Sequence, residues 1–274
     1  MSHISFTKMH GAGNDFILVD NRRQSWPDEI AGRLARRWCN RRTGIGADGL
    51  ILLEEGESTP FRMRHYNLDG SRASFCGNGA RCLARFAYHR GIANLSMAFE
   101  ADDGVHKAEI VGTEVALTMT DPCDIGLNRS LPDDPILACY HTLNTGTDHA
   151  VFPSKNVTGE AVETTGAQLR HHPIFQPGGT NINFVQPLTA ASLSVRTFER
   201  GVEAETLSCG TGAVACAVVH VLTGEMKSPI EVHTRSGEIL LVSFEYNNDL
   251  LTNVILRGSA HWVFSGEVPF DGGQ

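Results

Sequence analysis

The residues with the clearest chemical potential are two cysteines, each of which stands just before a glycine-rich turn. Cys76 lies in the stretch SFCGNGARCLARF (74–86), and Cys209 lies in SCGTGAVACAVV (208–219). The residues after each turn suit a helix, so we expect both thiols at or just before a helix N-terminus. There, backbone N–H groups favour negative charge, both on a thiolate and on an anion bound beside it.

Two thiols on opposite sides of one carbon atom could invert its configuration. A helix N-terminus lowers the pKa of a thiol below its ordinary value of about 8.5, which makes the thiolate a usable base near neutral pH. Because two like charges in one site raise one of the two pKa values, the pair would hold one thiolate and one thiol. The thiolate would remove a proton from one face of a stereocentre, and the thiol would deliver one to the other. Four backbone amides would hold the substrate carboxylate, namely those of Gly77, Asn78, Gly210 and Thr211.

The two cysteine motifs belong to a longer internal repeat. The cysteines are 133 residues apart, and the glycines of the two motifs meet at the same offset. Further residues align within one position of it: 13–16 with 146–149, Asp48 with Asn181, and 63–67 with 195–199. Several coincidences near one offset indicate an internal duplication.

Hydrophobic periodicity predicts a mixed α/β fold whose two halves have the same order of elements. Helices are expected over 27–39, over about 159–170, and after each cysteine. Strands are expected at 4–9, 16–20, 50–53, 61–66, 95–100, 106–111 and 114–119, then within 143–151 and at 181–185, 193–198, 230–234, 238–245 and 252–264.

Loop-like composition at 121–126 and 132–135 predicts a domain boundary near residue 120. We therefore expect one domain over 1–120, completed by a C-terminal tail at about 261–274, which carries Cys76. The other domain, over 121–260, carries Cys209.

The bulk properties exclude several classes of function. The chain of 274 residues is long enough for two domains of ordinary size. Its formal charge of −8, with no cluster of Lys and Arg, argues against nucleic acid or an anionic membrane as the main partner. No apolar run approaches the roughly 20 residues of a membrane span, and the N-terminal residues lack the pattern of a signal peptide. We expect a cytoplasmic protein with a small-molecule substrate, and a homodimer is the assembly to consider.

The other cysteines and the histidines show no pattern for a metal or a cofactor. The seven cysteines include no Cys-x-x-Cys pair, and the histidines have no metal-ligand spacing. Neither a GxGxxG motif nor a Walker phosphate loop occurs. We therefore expect no metal and no cofactor. Five cysteines are expected to be small buried hydrophobes: Cys39, Cys82, Cys123, Cys139 and Cys216.

Several stretches resemble the diaminopimelate epimerase family: KMHGAGNDF (8–16), NLDGSRASFCGNGARC (67–82), TNINF (180–184), FERG (198–201) and ETLSCGTGA (205–213). The similarity runs through almost the whole chain, and the cysteine motifs are highly specific to that family. The resemblance implies a pyridoxal-independent isomerase of two pseudo-symmetric domains. Each domain would wrap a sheet around a central helix, with the active site in the cleft between them. It also implies interconversion of LL- and meso-diaminopimelate, in lysine and peptidoglycan-precursor biosynthesis.

The resemblance also assigns roles to individual residues. Cys76 and Cys209 match the two acid/base cysteines, and His149 and Glu199 match residues that tune the thiols. The residues matching substrate contacts are Asn14, Asn67, Gly77, Asn78, Asn181, Glu199, Arg200, Gly210 and Thr211. Asp48 is interpreted first as a turn residue, and no site role is assigned to it.

Three departures from the family pattern concern the finer substrate contacts. Gly49 stands where some members carry a substrate-contacting glutamine, and Thr147 stands where some carry asparagine. The stretch Glu203–Glu205 is one residue longer than in several members.

Other functions remain open at this point. One is another amino-acid racemase on the same fold, acting on proline, hydroxyproline or histidine. An isomerase of the phenazine-biosynthesis type would not need two opposed thiols, and a catalytically idle binding module would not need either. Diaminopimelate has a second amino-acid head, which calls for a cation and directional polar groups. Arg200, with Glu199, Asn67 and Asn181, supplies such a set.

Overall fold

The computed structural model describes residues 2–131, 138–248 and 250–270. The chain divides into two compact units, one of Met1–Leu117 with Gly258–Gln274 and one of Thr118–Arg257. Both units combine strands and helices, so the predicted α/β fold class is confirmed. Of the sequence predictions, the loop at 132–135 and the last residues of the C-terminal tail, 271–274, lie outside the described residues.

The first unit contains two long helices and a sheet. Its strands are β1 (Ser2–Gly11), β2 (Asn14–Asp20), β3 (Gly49–Glu54), β4 (Arg62–Asn67), β5 (Arg72–Ala73), β6 (Ser96–Ala101), β7 (Gly104–Val111), β8 (Glu114–Thr118) and, from the C-terminal part of the chain, β18 (His261–Phe270). Its helices are α1 (Asp28–Trp38) and α2 (Gly77–His89).

The second unit has the same kinds of element in the same order, except that the counterpart of β18, which comes last in the first unit, comes first in this one. Its strands are β9 (Cys123–Arg129), β10 (Tyr140–Asn144), β11 (Asp148–Pro153), β12 (Asn181–Thr189), β13 (Ser192–Glu199), β14 (Ala204–Thr206), β15 (Ile230–His233), β16 (Ile239–Asn247) and β17 (Leu250–Ser259), which runs to the unit boundary. Its helices are α3 (Val162–Arg170) and α4 (Gly210–Leu222), with short 3₁₀ turns at Val157–Gly159 and Pro173–Phe175.

Strand pairing shows that the two units share one topology. Hydrogen-bonded neighbours follow the order β18–β1–β2–β3–β4–β6–β7–β8 in the first unit and β9–β10–β11–β12–β13–β15–β16–β17 in the second. The parallel pairs β2–β3 and β4–β6 correspond to β11–β12 and β13–β15, and the other pairs in both orders are antiparallel. The repeat read from the sequence is therefore a repeat of structure.

The register of the parallel pairs corrects one detail of that repeat. Phe16 lies opposite Gly49 in the first unit, and His149 lies opposite Asn181 in the second. The structural counterpart of Asn181 is therefore Gly49, and the predicted match of Asp48 with Asn181 is wrong by one residue. The connection through α3 is one residue shorter than the connection through α1, which explains the slip.

The helices that follow the cysteines lie against the strands of their own units. Helix α2 contacts β1, β2, β3 and β7, and α4 contacts β10 to β13, β15 and β16. Helix α4 is apolar on nearly every side, as expected for a helix that strands cover. The amphipathic helices α1 and α3 instead bury one face each in a separate hydrophobic cluster. The strands of each unit thus pack around its own cysteine helix.

Most predicted elements form, with a few differences. Residues 121–126, expected as a loop, belong largely to β9, because this segment pairs irregularly with β10 despite its polar composition. The expected strand at 252–264 is two strands, β17 and β18, which are separated at Ala260. The short strands β5 and β14 were not predicted. Within the described ranges, no helix has the length and apolar character needed to cross a membrane.

Candidate active site

Cys76 occupies the N-cap position of α2. Its backbone is extended, with φ −148° and ψ 115°, and its carbonyl accepts the first helical hydrogen bond, from Ala80 N–H at 2.8 Å. The side chain is half-buried, and Sγ lies 3.7 Å from Oδ1 of Asn14. The Asn14 side chain comes from the end of the tight turn between β1 and β2. The predicted position of this thiol at a helix start is thus what the structure shows.

Asn14 is held in place by the carboxylate of Asp48. Its Nδ2 donates to Oδ2 of Asp48 at 2.7 Å, and Asp48 in turn pairs with Arg41 at 2.7 Å. Asp15 also pairs with Arg41, at 2.7 Å, and with the buried Lys8, at 2.7 Å. Besides its place in a turn, Asp48 has a second role, because its carboxylate orients a side chain that contacts Cys76.

The charges in this cluster are well compensated. Burial raises the pKa of Asp15, but hydrogen bonds to Arg41 and Lys8 and the charges of both outweigh that effect and lower the pKa to about 2. Because two cations face two carboxylates, the turn that carries Asn14 is fixed without a net excess of either sign. A fixed turn keeps the Asn14 amide at one distance from the thiol.

Asn78, in the first turn of α2, links Asn14 to a buried arginine. Its Nδ2 lies 3.4 Å from Oδ1 of Asn14, and its Oδ1 accepts from the Arg81 guanidinium at 2.8 Å. Arg81 is fully buried and also donates through Nε to the carbonyl of Ser259 at 3.2 Å. The Asn78 side chain therefore links Asn14 to Arg81 beside Cys76, and the predicted contact of Asn78 with substrate is made by its backbone N–H.

Cys209 occupies the equivalent N-cap position of α4. Its backbone is also extended, with φ −116° and ψ 112°, and its carbonyl accepts from Ala213 N–H at 2.9 Å. Whereas Cys76 lies beside the Asn14 oxygen, the Cys209 sulfur lies beside donors: Gly212 N–H at 3.4 Å, and the Thr211 hydroxyl at 3.4 Å, which can donate or accept. The thiol is buried.

A chain of buried polar side chains lies in the wall of the second unit near Cys209. A methyl group placed on Gly212 would lie 3.3 Å from both Cys209 Sγ and Thr197 Oγ1, and would collide with Asn183 Oδ1. The Thr197 hydroxyl donates to Asn183 Oδ1 at 2.9 Å, and Asn183 Nδ2 lies 3.0 Å from His149 Nδ1. Asn183 Nδ2 also donates to a backbone carbonyl, that of Ala150, at 3.0 Å.

His149 is almost completely buried, at 1% exposure. Burial, reinforced by the charge of Arg200, lowers the pKa of His149 to about 3. The imidazole is therefore neutral at physiological pH. Since the amide of Asn183 is a donor, Nδ1 of His149 is the acceptor and Nε2 carries the proton. Nε2 has no hydrogen-bond partner among the described residues.

Arg200 is anchored where β13 ends. Its guanidinium donates to Thr147 Oγ1 at 2.6 Å and to the carbonyl of Gly179 at 2.9 Å, and it pairs with Asp148 at 3.3 Å. The guanidinium keeps some solvent exposure, 29% of the side chain. Thr147, one of the departures from the family pattern, is thus a direct support for this arginine.

Asn181 is committed to the backbone around Arg200. Its Oδ1 accepts from Arg200 N–H at 2.9 Å, and its Nδ2 donates to the carbonyl of Asp148 at 2.9 Å. Because both ends of the amide are used and the residue is buried, its role in this conformation is to position Arg200. Its predicted direct contact with substrate stays a prediction.

Glu199 and Asn67 end the corresponding strands β13 and β4. Burial raises the pKa of Glu199, so a proton is retained at higher pH than on an ordinary carboxyl group. Asn67 is exposed, and its Nδ2 donates to Ser71 Oγ at 3.0 Å. Both remain predicted site residues.

Gly49, the other departure, lies beside a buried histidine. A side chain at Gly49 would begin 2.7 Å from Nε2 of His65 and 2.9 Å from the carbonyl of Tyr66. His65 therefore occupies the space into which a larger residue at position 49 would extend. Burial lowers the pKa of His65 to about 4.

The remaining cysteines only partly match their prediction. Burial raises the pKa of the Cys39 thiol to about 12, and burial together with the charge of Cys209 raises that of Cys216. Cys82 is also buried, but Cys123 and Cys139 are exposed, so the prediction of a buried position is wrong for these two. Cys123 begins the polar and largely exposed strand β9, and Cys139 directly precedes β10.

Several residues that organise the site were not identified from the sequence: Asp48, Arg81, Asn183 and Thr197. Asn183 carried the clearest signal, because it lies two positions after Asn181 and alternate strand residues share a face. Arg81 had no comparable signal, since an arginine inside a helix usually faces solvent. In residues 2–131, 138–248 and 250–270, no group of three His, Cys, Asp or Glu side chains is arranged to hold a metal ion.

Comparison with known proteins adds the family. The family model described as diaminopimelate epimerase matches residues 6–124 and 141–263. A diaminopimelate epimerase of Aquifex aeolicus (strain VF5) is 41% identical over 277 residues, covering 97% of this chain and 98% of that protein. A diaminopimelate epimerase of Flavobacterium psychrophilum is 42% identical over 259 residues, covering 94% of this chain and 97% of that protein.

Solved structures with low sequence identity share the fold. A phenazine biosynthesis protein of the PhzF family from Bacillus anthracis has a TM-score of 0.77 at 16% identity, covering 98% of this chain and 100% of the other. A probable proline racemase from Agrobacterium radiobacter K84 has a TM-score of 0.72 at 14% identity, covering 98% and 93%. At such identities the similarity concerns the fold alone. The two matched segments and the near-complete coverage by relatives above 40% identity show that the chain belongs to the diaminopimelate epimerase family of isomerases.

Proposed function

We propose that the protein interconverts LL- and meso-2,6-diaminopimelate without a cofactor, with Cys76 and Cys209 as its two acid/base groups. The observation that carries the proposal is the duplicated N-cap position of the two thiols, each at the start of a 13-residue helix. Membership of the family supports the substrate, since the relatives above are diaminopimelate epimerases. The reaction would serve lysine and peptidoglycan-precursor biosynthesis, in the cytoplasm.

The chemical step needs only proton transfers. One sulfur, as thiolate, takes the α-proton, so that the C–H bond breaks and an S–H bond forms. The electron pair left on carbon spreads into the adjacent carboxylate. The other sulfur, as thiol, then gives its proton to the opposite face of the carbon and becomes a thiolate. No oxidant or reductant is consumed, and the enzyme retains one proton across the pair of thiols.

The helix starts supply the charge stabilisation that this step requires. The first N–H groups of an α-helix have no acceptor within the helix. At residues 77–78 and 210–211 these groups would face the carboxylate whose negative charge grows as the carbanion forms. Loss of one such donor costs on the order of 10²–10³ in rate in other enzymes, so the two sets would contribute much of the acceleration.

Arg200 would bind the carboxylate at the distal end of the substrate. A guanidinium binds a carboxylate through two parallel hydrogen bonds, and the Arg200 guanidinium is already held in place by Thr147 and Gly179. Glu199 and Asn67 would contribute acceptors and donors for the distal ammonium and carboxylate. His149 and Glu199 would tune the thiols. A substrate lacking the second amino-acid head would lose this recognition.

The experiment is incubation in deuterated water with candidate amino acids, followed by mass spectrometry and NMR. In a single turnover we expect one solvent deuterium, at the inverted α-carbon, whether LL- or meso-diaminopimelate is supplied. We also expect no turnover of free proline and a strict demand for the L configuration at the distal centre. Racemisation of proline or histidine at least as fast as epimerisation of diaminopimelate would overturn the proposed substrate.

Replacement of the thiols tests the assignment of the two bases. Cys76→Ser and Cys209→Ser should each nearly abolish epimerisation while the protein stays folded, since serine is close in size but far less acidic. Each single variant should still eliminate a good leaving group from one stereoisomer of a suitable analogue, because that reaction needs one base. Near-normal epimerisation by either variant would refute the assignment.

We also propose that the protein forms a homodimer. Consecutive residues of β18 expose large apolar side chains, with Trp262, Val263 and Phe264 at 42%, 52% and 46% exposure. Such a run supports contact with a second copy of the chain. Light scattering during gel filtration measures the mass directly, and a monomer at micromolar concentration would contradict the proposal.

A further inference from the structure

The two half-sites place different hydrogen-bonding groups beside their sulfur atoms, although the units repeat one fold. Cys76 Sγ faces an acceptor, the Asn14 carbonyl oxygen Oδ1 at 3.7 Å. Cys209 Sγ faces a donor, Gly212 N–H at 3.4 Å. A hydrogen bond accepted from a thiol stabilises its protonated form, whereas a donor stabilises the thiolate.

The orientation of Asn14 is imposed by Asp48. A carboxylate in an ion pair can only accept hydrogen bonds, and Asp48 is paired with Arg41 at 2.7 Å. The atom of Asn14 that lies 2.7 Å from Asp48 must therefore be Nδ2. As a consequence, the amide turns its oxygen towards Cys76.

The same orientation follows independently from the opposite end of the chain of amides. A guanidinium can only donate, so the Asn78 atom 2.8 Å from Arg81 must be the oxygen. The Asn78 amide nitrogen then faces Asn14 at 3.4 Å, where it requires an acceptor. The contacts of Asp48 and of Arg81 therefore require the same orientation of Asn14, in which Oδ1 faces Asn78 and Cys76.

Around Cys209, the fixed donor is part of the backbone. Gly212 N–H cannot exchange donor for acceptor, and the Thr211 hydroxyl, 3.4 Å from Sγ, can add a second hydrogen bond to a thiolate. Among the titratable groups on neighbouring elements, His149 and Cys216 are neutral, because burial lowers the pKa of His149 to about 3 and raises that of Cys216. Burial also raises the pKa of Glu199 at the end of β13. Around Cys76, the charges of Asp48 and Arg81 act through the two amides and have opposite signs.

We propose that the resting enzyme carries the proton on Cys76 and the negative charge on Cys209, and that Asp48 is the positioning residue that sets this asymmetry by orienting Asn14. The inference rests on the proposed function, for which it names the sulfur that acts first as the base. One turnover leaves the proton on Cys209. A proton must then return to Cys76, by exchange with solvent or by turnover in the reverse direction, before the same direction can run again.

The pH dependence of alkylation tests the asymmetry without any substrate. Iodoacetamide reacts with thiolates, and peptide mapping by mass spectrometry separates the seven cysteines. Burial of a thiol changes the maximum rate, whereas the midpoint of the pH profile reports the ionisation. In Cys76→Ser and Cys209→Ser, which remove the mutual influence of the two thiols, the midpoint of Cys209 should lie at least about one pH unit below that of Cys76, a tenfold difference in thiolate.

Thiolate absorbance near 240 nm, measured against the double variant, gives the same midpoints if one thiol reacts too slowly to map. Equal midpoints, or a lower midpoint for Cys76, would overturn the proposal. Because these measurements need no turnover, their failure is distinct from failure of the deuterium experiment, which tests the epimerase function itself.

The role of Asp48 is tested by Asp48→Ala and Asp48→Asn as a matched pair. Both remove the same charge, but only the asparagine can still offer an oxygen to Asn14 Nδ2. The Cys76 midpoint should therefore fall further in Asp48→Ala than in Asp48→Asn, while the Cys209 midpoint stays unchanged in both. Equal shifts of Cys76 in the two variants would show an effect of charge alone and would overturn the positioning role.

Discussion

The buried chain Thr197–Asn183–His149 makes a prediction that can be worked out from its geometry. Asn183→Asp replaces the amide nitrogen, which lies 3.0 Å from His149 Nδ1, by an oxygen of nearly the same size. In the native protein the amide donates, so His149 bears its proton on Nε2. A carboxylate accepts only, so in the variant Nδ1 must carry a proton.

The variant should reverse the pKa shift of His149. Burial holds this pKa at about 3 in the native protein. A carboxylate in contact favours the imidazolium, so the pKa should rise above the ordinary value of about 6.5, a change of at least about three pH units. The carbonyl of Ala150 also loses its donor, which should lower the free energy of unfolding by about 1–3 kcal/mol.

The shift of the His149 pKa in Asn183→Asp also reverses how the contribution of His149 to stability depends on pH. In the native protein the unfolded state binds the proton more readily than the folded state between about pH 6.5 and 3, so the contribution of His149 falls as the pH falls through that window. In Asn183→Asp the folded pKa lies above the unfolded one. The contribution of His149 is then fully present below about pH 6.5 and is lost as the pH rises through the folded pKa.

The assay is long-range ¹⁵N NMR of the histidine rings, combined with urea unfolding at several pH values. Thr197→Val is the matched control: it removes the hydroxyl that donates to Asn183 at 2.9 Å and should also cost about 1–3 kcal/mol. It leaves the amide bound to Ala150, so His149 should keep its proton on Nε2 and its low pKa. A native His149 protonated on Nδ1, or an unchanged pKa in Asn183→Asp, would refute the reasoning.

Three further predictions concern recognition, packing and pH. Arg200→Ala should lower kcat/KM by the equivalent of roughly 2–5 kcal/mol, because the distal carboxylate loses its partner, and steady-state kinetics that are unchanged would contradict this. Gly212→Ala should destabilise the protein and displace Asn183, since the added methyl collides with its side-chain oxygen. Gly77→Ala, where a methyl meets nothing within 4 Å in the described structure, should leave the unfolding midpoint in urea unchanged. His65→Leu should flatten the dependence of stability on pH between about 4 and 6.5. Because the folded pKa of His65 is about 4, its contribution to stability falls as the pH falls through that window, by up to about 1.4 kcal/mol per pH unit. If the slope of stability against pH is the same in His65→Leu, this prediction is wrong.

Local patterns predicted those parts of the site that depend on local structure. The positions of Cys76 and Cys209 at helix starts follow from a glycine turn and a helix-forming run within a dozen residues. The predicted strand–turn–strand at 143–151 forms for the same reason. The repeat was visible because both copies kept their glycines, although a connection one residue shorter hid the true counterpart of Asn181.

The remaining features depend on contacts between distant positions. Asp48 lies 34 residues from Asn14, and parallel pairing of β2 with β3 brings them together, which no local pattern shows. The local sequence predicts that Arg81 is an exposed helix residue, but the strands that pack against α2 bury it. Asn181 matched a substrate contact, but its amide is bound to the backbone of Arg200 and Asp148, which lie beside the start of β12 and compete for the same side chain.

The central claim, that two cysteines act on opposite faces of one carbon, is tested most directly by following deuterium at early times. Pure LL-diaminopimelate in deuterated water is converted by a few per cent, and product and recovered substrate are separated and analysed by mass spectrometry. Two bases predict a meso product with solvent deuterium at the inverted centre, and recovered LL substrate with almost none. Substrate-derived protium in the product, or recovered substrate that exchanges as fast as product forms, would show a single base and contradict the account.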